Sequence, residues 1–176
     1  PDHPIYRQLG MVEEATEHAR TLTQQLLTFS RGGQPIKEMT TISEVLTSAV
    51  SFSLSGSNVR CEWNLPADLW PAPIDTGQVT QVIQNLVINA DQAMPEGGVI
   101  GITCANEKIE QATDMQGIVL QPGFYVRITV TDQGQGIPQD EVNKIFDPYF
   151  TTKKTGTGLG LTTSYSIIKR HEGAMT

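Results

Sequence analysis

The stretch Asp75-Thr-Gly-Gln-Val-Thr-Gln-Val-Ile-Gln-Asn85-Leu-Val-Ile-Asn89-Ala-Asp-Gln-Ala-Met94 decides how the rest of the chain is read. Its apolar residues, Val79, Val82, Ile83, Leu86, Val87, Ala90 and Met94, mostly step by three or four. That is the rhythm of a helix with one buried stripe, and it predicts a helix over residues 76–94. Asp75 can cap the start, with Gln78 completing a capping box. Pro95 and Gly97-Gly98 stop it. Asn85 and Asn89 lie four apart, stacked on one face beside the stripe. Asparagine is a mediocre helix former, so the pair needs partners. Two readings stand: side chains bonded to a neighbouring loop, or two amide oxygens aimed at a hard cation.

Composition bounds what surrounds this helix. The chain has 176 residues, of which 38% are hydrophobic, enough for one packed domain plus an appendage. A net charge of −7 argues against a general nucleic-acid surface. It leaves room for an anionic ligand held by a few local donors. No apolar run approaches the roughly 18 residues of a membrane span. Cys61 and Cys104 stand far apart in no metal-ligand spacing, which reads as two reduced thiols in a cytoplasmic protein. Pro1-Asp2-His3-Pro4 reads as a cut within a longer chain.

Upstream, Ile5, Leu9, Val12, Ala15, Ala19, Leu22, Leu26 and Phe29 predict one long helix over residues 5–30. Its stripe has nothing nearby to cover it, so it is expected to pack on another helix or chain. The Arg31-Gly-Gly-Gln-Pro35 break places a domain boundary between 1–33 and 34–176. Residues 36–40 are a short strand candidate. Thr41 or Ser43 can cap a helix running to about Leu54, with Val45, Leu46, Ala49, Val50 and Phe52 as its apolar set. Residues 59–65 alternate as a strand with Val59, Cys61, Trp63 and Leu65 on one side. Pro66 and Pro71 make residues 69–74 an irregular or edge strand.

Downstream, residues 99–105 form a strand, residues 108–122 a loop, and residues 125–132 a strand with Val126, Ile128 and Val130 on one face. Period two puts Asp132 on that same inward face, where a carboxylate needs donors. Residues 139–145 suggest a short helix. Residues 146–158 are polar, Gly-containing and bracketed by Phe146, Tyr149 and Phe150. Helical spacing resumes over residues 159–170 through Leu161, Tyr165 and Ile168.

Four stretches carry chemistry together. Asn85-Leu-Val-Ile-Asn89-Ala resembles the N box of sensor histidine kinases. Asp132-Gln-Gly134-Gln-Gly136-Ile137 resembles their first glycine box, Phe146-Asp-Pro-Tyr-Phe150-Thr-Thr-Lys153 their phenylalanine box, and Gly156-Thr157-Gly158-Leu159-Gly160-Leu161 their second glycine box. Order and spacing both match. Residues 19–31 look like the second helix of the family's dimerisation and phosphotransfer domain. Asp91-Gln-Ala-Met-Pro and Phe150-Thr-Thr-Lys are most similar to the nitrogen-regulation-like kinases.

The resemblance implies an α/β (α+β) fold: a two-layer sandwich with a mixed sheet, preceded by a helical arm. It implies an ATP-binding catalytic domain that passes the γ-phosphate to a histidine and thence to a response-regulator aspartate. Asn89 and Asn85 would hold Mg²⁺. Asp132, Gly134, Gly136, Ile137, Phe150, Lys153, Thr157, Gly158, Leu159, Gly160 and Leu161 would join them around ATP. The residue types suit those roles. A carboxylate accepts from the adenine exocyclic amine, glycines admit close backbone approach, and N–H groups at a helix start face phosphates. Lys153 adds a point charge, and Mg²⁺ keeps waters and phosphate oxygens in its shell.

The implied partners are a response regulator and a second copy held through the N-terminal helix. Any membrane link would come through parts of a parent protein outside this chain. The blander alternatives are Asn85 as a brace for Asn89, Lys154 as a solvated neighbour, and His18 as a bundle-surface histidine. His18 lacks the following Asp or Glu that the family uses at its acceptor, and His3 and His171 resemble no acceptor site, so no phosphoacceptor is identified. The family's first phosphotransfer helix and its last strands are expected to lie outside this chain. Gln92 is a further departure, standing where some relatives carry Lys or Arg. Two competing functions remain: an ATP-hydrolysing switch of the same superfamily, and a non-enzymatic dimerisation module. The hydrolysing switches place a Glu base four residues before the metal-binding Asn, and this chain has Asn85 there, which cannot take a proton from water.

Overall fold

The computed structural model describes residues 34–115, 117–153 and 156–176. The helix expected over residues 5–30, the dimerisation surface it would carry, and His3, His18 and Lys154 lie outside the described residues. Strand β1 (Glu38–Thr40) leads into helix α1 (Ile42–Ser53). Then come β2 (Val59–Asn64), β3 (Ala72–Ile74), α2 (Thr76–Gln92), β4 (Gly98–Ile109), β5 (Thr113–Met115), β6 (Ile118–Leu120) and β7 (Gly123–Thr131). A single 3₁₀ turn (Val142–Lys144) and helix α3 (Gly160–Arg170) complete the order.

Strand β4 is the centre of the main sheet, parallel to β2 and antiparallel to β7, so the sheet is mixed. One face of this sheet is covered by helices. Ile42, Val45, Leu46, Ala49 and Val50 of α1 meet Val79, Ile83, Val87 and Ala90 of α2 over Ile100, Ile102 and Cys104 of β4. On the other face Thr103, Arg127, Thr129 and Thr131 are exposed. Alternation along antiparallel strands with one wet face gives the two layers the sequence implies. Cys61 and Cys104 are free thiols, and burial pushes the Cys104 thiol up to about 11.

The start of α2 departs from the expected box. Asp75 Oδ1 accepts from Gln78 N at 3.0 Å, as an N-cap should. The Gln78 side chain, however, donates to Asp75 Oδ2 rather than accepting from the Asp75 backbone N–H. The Asp75 N–H goes instead to His171 Nε2 at 3.0 Å, while His171 Nδ1 donates to Ile167 O. A histidine after the last helix thus completes the cap of a helix 96 residues earlier. Asp75 Oδ2 also accepts from Ile36 N. At the other end of the helix, Ser57 Oγ donates to Asp91 Oδ1 and accepts from Val59 N, pinning the start of β2 to α2.

Other expectations need correction. Residues 108–122 are not a loop: β4 continues to Ile109, and β5 and β6 form an antiparallel hairpin. Gly117 has φ of 82° and its N–H donates to Asp114 Oδ1, so a turn, not apolar period, defines this hairpin. The expected short helix over residues 139–145 is only the Val142–Lys144 turn. Phe52 is 76% exposed rather than part of the α1 core. The buried face of α3 consists of Thr162, Thr163, Ser164 and Ile167, not of Leu161, Tyr165 and Ile168. Short side chains there can approach α2 closely, and the Ser164 hydroxyl has internal partners. Asp132 is exposed: β7 ends at Thr131, and the chain turns before period two can carry the carboxylate inward.

Ile102 and Thr103 are neighbours on β4 with opposite surroundings, fully buried and exposed respectively. Ile102→Ala is expected to cost about 2–5 kcal/mol by urea denaturation, the range for deleting a core aliphatic. Thr103→Ala should stay within roughly 0.5 kcal/mol. Similar losses at both positions would contradict a one-sided core.

Candidate functional site

Helix α2 has a second face, and the other three stretches gather on it. Asn85 Nδ2 donates to Gly160 O and Ser164 Oγ, both at 3.2 Å. Ser164 is fully buried, and its hydroxyl in turn donates to Gly160 O. Asn85 is therefore a brace to the first turn of α3 rather than to Asn89. The two acceptors fix which end of the amide bonds α3, and Asn85 Oδ1 makes no hydrogen bond among the described residues.

One turn on, Asn89 Oδ1 accepts from Lys153 Nζ at 2.8 Å, and Gln92 Oε1 accepts from the same ammonium at 2.7 Å. Asn89 and Gln92 are three apart and so share a helix face. Burial pulls the Lys153 amine below its usual range. Among the described residues no carboxylate forms a salt bridge with it. The Asn89 oxygen thus already serves a cation, which is the chemistry required of a Mg²⁺ ligand.

The first glycine stretch crosses the end of α2. Gly134 N donates to Asp132 Oδ1 at 2.8 Å, and Gln133 N donates to Met94 Sδ. A Cβ on Gly134 would lie 2.6 Å from Ala93 Cβ, so only glycine lets this turn pass. Asp132 itself is exposed, beside half-buried Gly134.

The phenylalanine and second glycine stretches are joined backbone to backbone. Tyr149 N donates to Gly158 O at 3.0 Å. Gly158 has φ of 66°, and a Cβ on it would meet the Tyr149 carbonyl carbon at 2.3 Å. No other residue fits without moving both segments. Phe146 is anchored on α3 by its ring against Tyr165, with centroids 5.1 Å apart, and by Thr162 Oγ1 donating to Phe146 O. Leu159, the N-cap of α3, makes no side-chain cap bond, and its own N–H reaches Thr157 Oγ1 at 3.4 Å. Donors of the first turn of α3 are thus left without a side-chain cap.

The structure therefore brings Asn85, Gly160 and Leu159 together, and Asn89 with Lys153. Gly134 and Asp132 lie at the C-terminal end of the same helix. Ile137 is 52% exposed and Phe150 half-buried. Sequence reasoning passed over Ser164, visible as a hydroxyl four residues into α3, and took Gln92 only as a departure from the family, not as an acceptor for Lys153. A groove of about 440 Å³ lies elsewhere. It lies at the far end of β7, lined by Trp70, Pro71, Pro73 and Phe124, and carries no such polar convergence.

Known proteins are similar to this chain in sequence and fold. Residues 74–176 match the family described as histidine kinase-, DNA gyrase B-, and HSP90-like ATPase. Sensor kinase CckA of Brucella abortus (strain 2308) is 37% identical over 97% of this chain, which spans 18% of that protein. Sensor histidine kinase ZraS of Salmonella typhimurium (strain LT2) is 32% identical over 94% of the chain, which spans 33% of it. Among solved structures, the catalytic domain of histidine kinase ThkA matches with TM-score 0.58 and 30% identity, over 76% of this chain and 80% of that one. Full-length ShkA in complex with AMPPNP shares the fold, with TM-score 0.69 and 21% identity over 94% of this chain and 34% of that one. The chain spans a third or less of the curated relatives named here, and they do not single out the nitrogen-regulation subgroup. With residues 74–176 matched and the four stretches assembled on one helix, this chain belongs to the histidine kinase-, DNA gyrase B- and HSP90-like ATPase family.

Proposed function

We propose that this chain is the ATP-binding catalytic portion of a two-component sensor histidine kinase, with the domain division at residues 33 and 34. It would direct the ATP γ-phosphate to a histidine outside the chain, from which a response-regulator aspartate takes it. The observation that carries this reading is the seating of the Lys153 ammonium on Asn89 Oδ1, beside an α3 start held by Asn85. A cation-binding oxygen, an ammonium and helix-start donors stand within one helix face of each other, as triphosphate binding requires. The sensor kinase relatives support the same choice.

Asp132 would accept from the adenine exocyclic amine while Gly134 N–H keeps its other oxygen oriented. The backbone from Thr157 to Leu161 would face the phosphates, with Lys153 at the terminal one. Asn89 Oδ1, and the Asn85 Oδ1 left by the brace, would hold Mg²⁺. When bound, that ion would neutralise phosphate charge and fix the triphosphate in line. The hydrolysing alternative needs a base at position 85, and the Asn85 amide nitrogen is instead committed to Gly160 O. Phosphoryl transfer asks little of the protein beyond positioning and charge neutralisation, and the nucleophile would come from another segment. A homodimer through residues 5–30 belongs to this proposal. Among the described residues no helix is long and apolar enough to cross a membrane.

Three measurements test the reading. In calorimetry the chain should bind ATP and not GTP, and Asp132→Asn should weaken ATP by roughly 1–3 kcal/mol, the scale of an unmet hydrogen bond. Equal affinity for the two nucleotides would sink the adenine assignment. Asn89→Ala is expected to remove the gain in ATP affinity that Mg²⁺ gives over EDTA. Asn85→Ala should lower melting temperature and ATP affinity in both conditions, because it releases α3. A metal gain that survives in Asn89→Ala speaks against the metal role. With labelled ATP, the chain alone should bind nucleotide without labelling itself; acid-labile, base-stable label on His18 would overturn that expectation.

A further inference from the structure

The Lys153 ammonium has three N–H donors, and two are taken by neutral amide oxygens, those of Asn89 at 2.8 Å and Gln92 at 2.7 Å. The type of acceptor at position 92 matters. A carboxylate there would hold the ammonium but also cancel its charge. An amide carbonyl orients it and leaves the charge intact, with one N–H still uncommitted. Gln92 is exposed on the last turn of α2 and makes no other hydrogen bond among the described residues. It is not part of the apolar core, so packing does not account for its side-chain direction.

We propose that Gln92 is a positioning residue, an uncharged tether that keeps the Lys153 ammonium over α2 and directed at the terminal phosphate of ATP. This deepens the nucleotide-binding reading above and rests on it. If Mg²⁺ draws on Asn89 Oδ1, Gln92 Oε1 is the acceptor that remains, so the lysine keeps its place when Asn89 changes partner. The tether acts on a charge that only the γ-phosphate meets. Its loss should therefore be felt by ATP and not by ADP, and only while Lys153 is present.

The test is calorimetry of the 176-residue chain with Mg·ATP and Mg·ADP. Gln92→Met matches the side chain in length without an acceptor. It is expected to lower the preference for ATP over ADP roughly three- to ten-fold, the net scale of one ordinary hydrogen bond at an exposed position. ADP affinity should stay within about twofold, inside the spread usual for a surface substitution. Gln92→Glu should lower the preference at least as far, because its charge opposes the phosphate. In a Lys153→Met background, Gln92→Met should add nothing, as a shared pathway requires. The proposal is overturned if Gln92→Met leaves the ATP-to-ADP ratio unchanged, weakens both nucleotides alike, or has its full effect without Lys153. An unmutated chain that binds ATP and ADP equally would overturn it while leaving nucleotide binding intact. A chain that binds neither would remove the underlying reading as well.

Discussion

Two hydrogen bonds from one amide, Asn85 Nδ2 to Gly160 O and to Ser164 Oγ, carry the contact between α2 and α3. Ser164 lies in that contact with no exposure. Buried hydroxyls and carbonyls cost free energy unless paired, so Ser164 Oγ and Gly160 O need an amide opposite them. That requirement fixes the height of α3 along α2. It also sets where Leu159, Gly158 and Thr157 stand, and so where the phosphate-facing backbone begins. The ends of the phenylalanine stretch follow, because Phe146 rests on α3 and Tyr149 pairs with Gly158.

Helix α2 thus divides its surface between two duties. Val79, Ile83, Val87 and Ala90 face the sheet and α1, and their burial holds the helix still. Asn85, Asn89 and Gln92 use that stillness to present oxygens and a donor on the neighbouring face. Both ends are tied as well. Asp75 is bonded to Ile36, Gln78 and His171, and Asp91 to Ser57. The His171 link joins the end of α3 to the start of α2, so the two helices meet twice, at Asn85 and at the cap. Ligand groups placed on a helix held at four points need little reorganisation on binding.

Lys153 shows how such a face receives a cation from a distant stretch of the chain. Its neighbours Thr151, Thr152 and Gly156 offer little apolar surface. The ammonium nevertheless finds the two carbonyl oxygens that α2 displays. Burial already disfavours its charged form, and an amide seat compensates that cost without neutralising the ion.

Periodicity and residue chemistry were enough to read α2, the alternation of β7, and the four stretches that carry the family's chemistry, whereas Trp63 of β2, expected beside Val59 and Cys61, is exposed. These are local: burial on one face imposes a repeat of 3.6 or 2, and a chain turn demands glycine or proline. What depended on the tertiary structure was every pairing across long separations. Asn89 and Lys153 are 64 residues apart, and Asp75 and His171 are 96 apart; no repeat encodes such contacts. The β5–β6 hairpin was hidden because a turn at Gly117 defines it rather than an apolar alternation. The exposure of Asp132 was hidden because the strand stops one residue early. The face of α3 was misread because its largest side chains, Leu161 and Tyr165, are not its buried ones. Sequence determined which groups this protein has and which helix carries them; the fold alone decided which groups meet, because hydrogen bonds are made by distance in space and not along the chain.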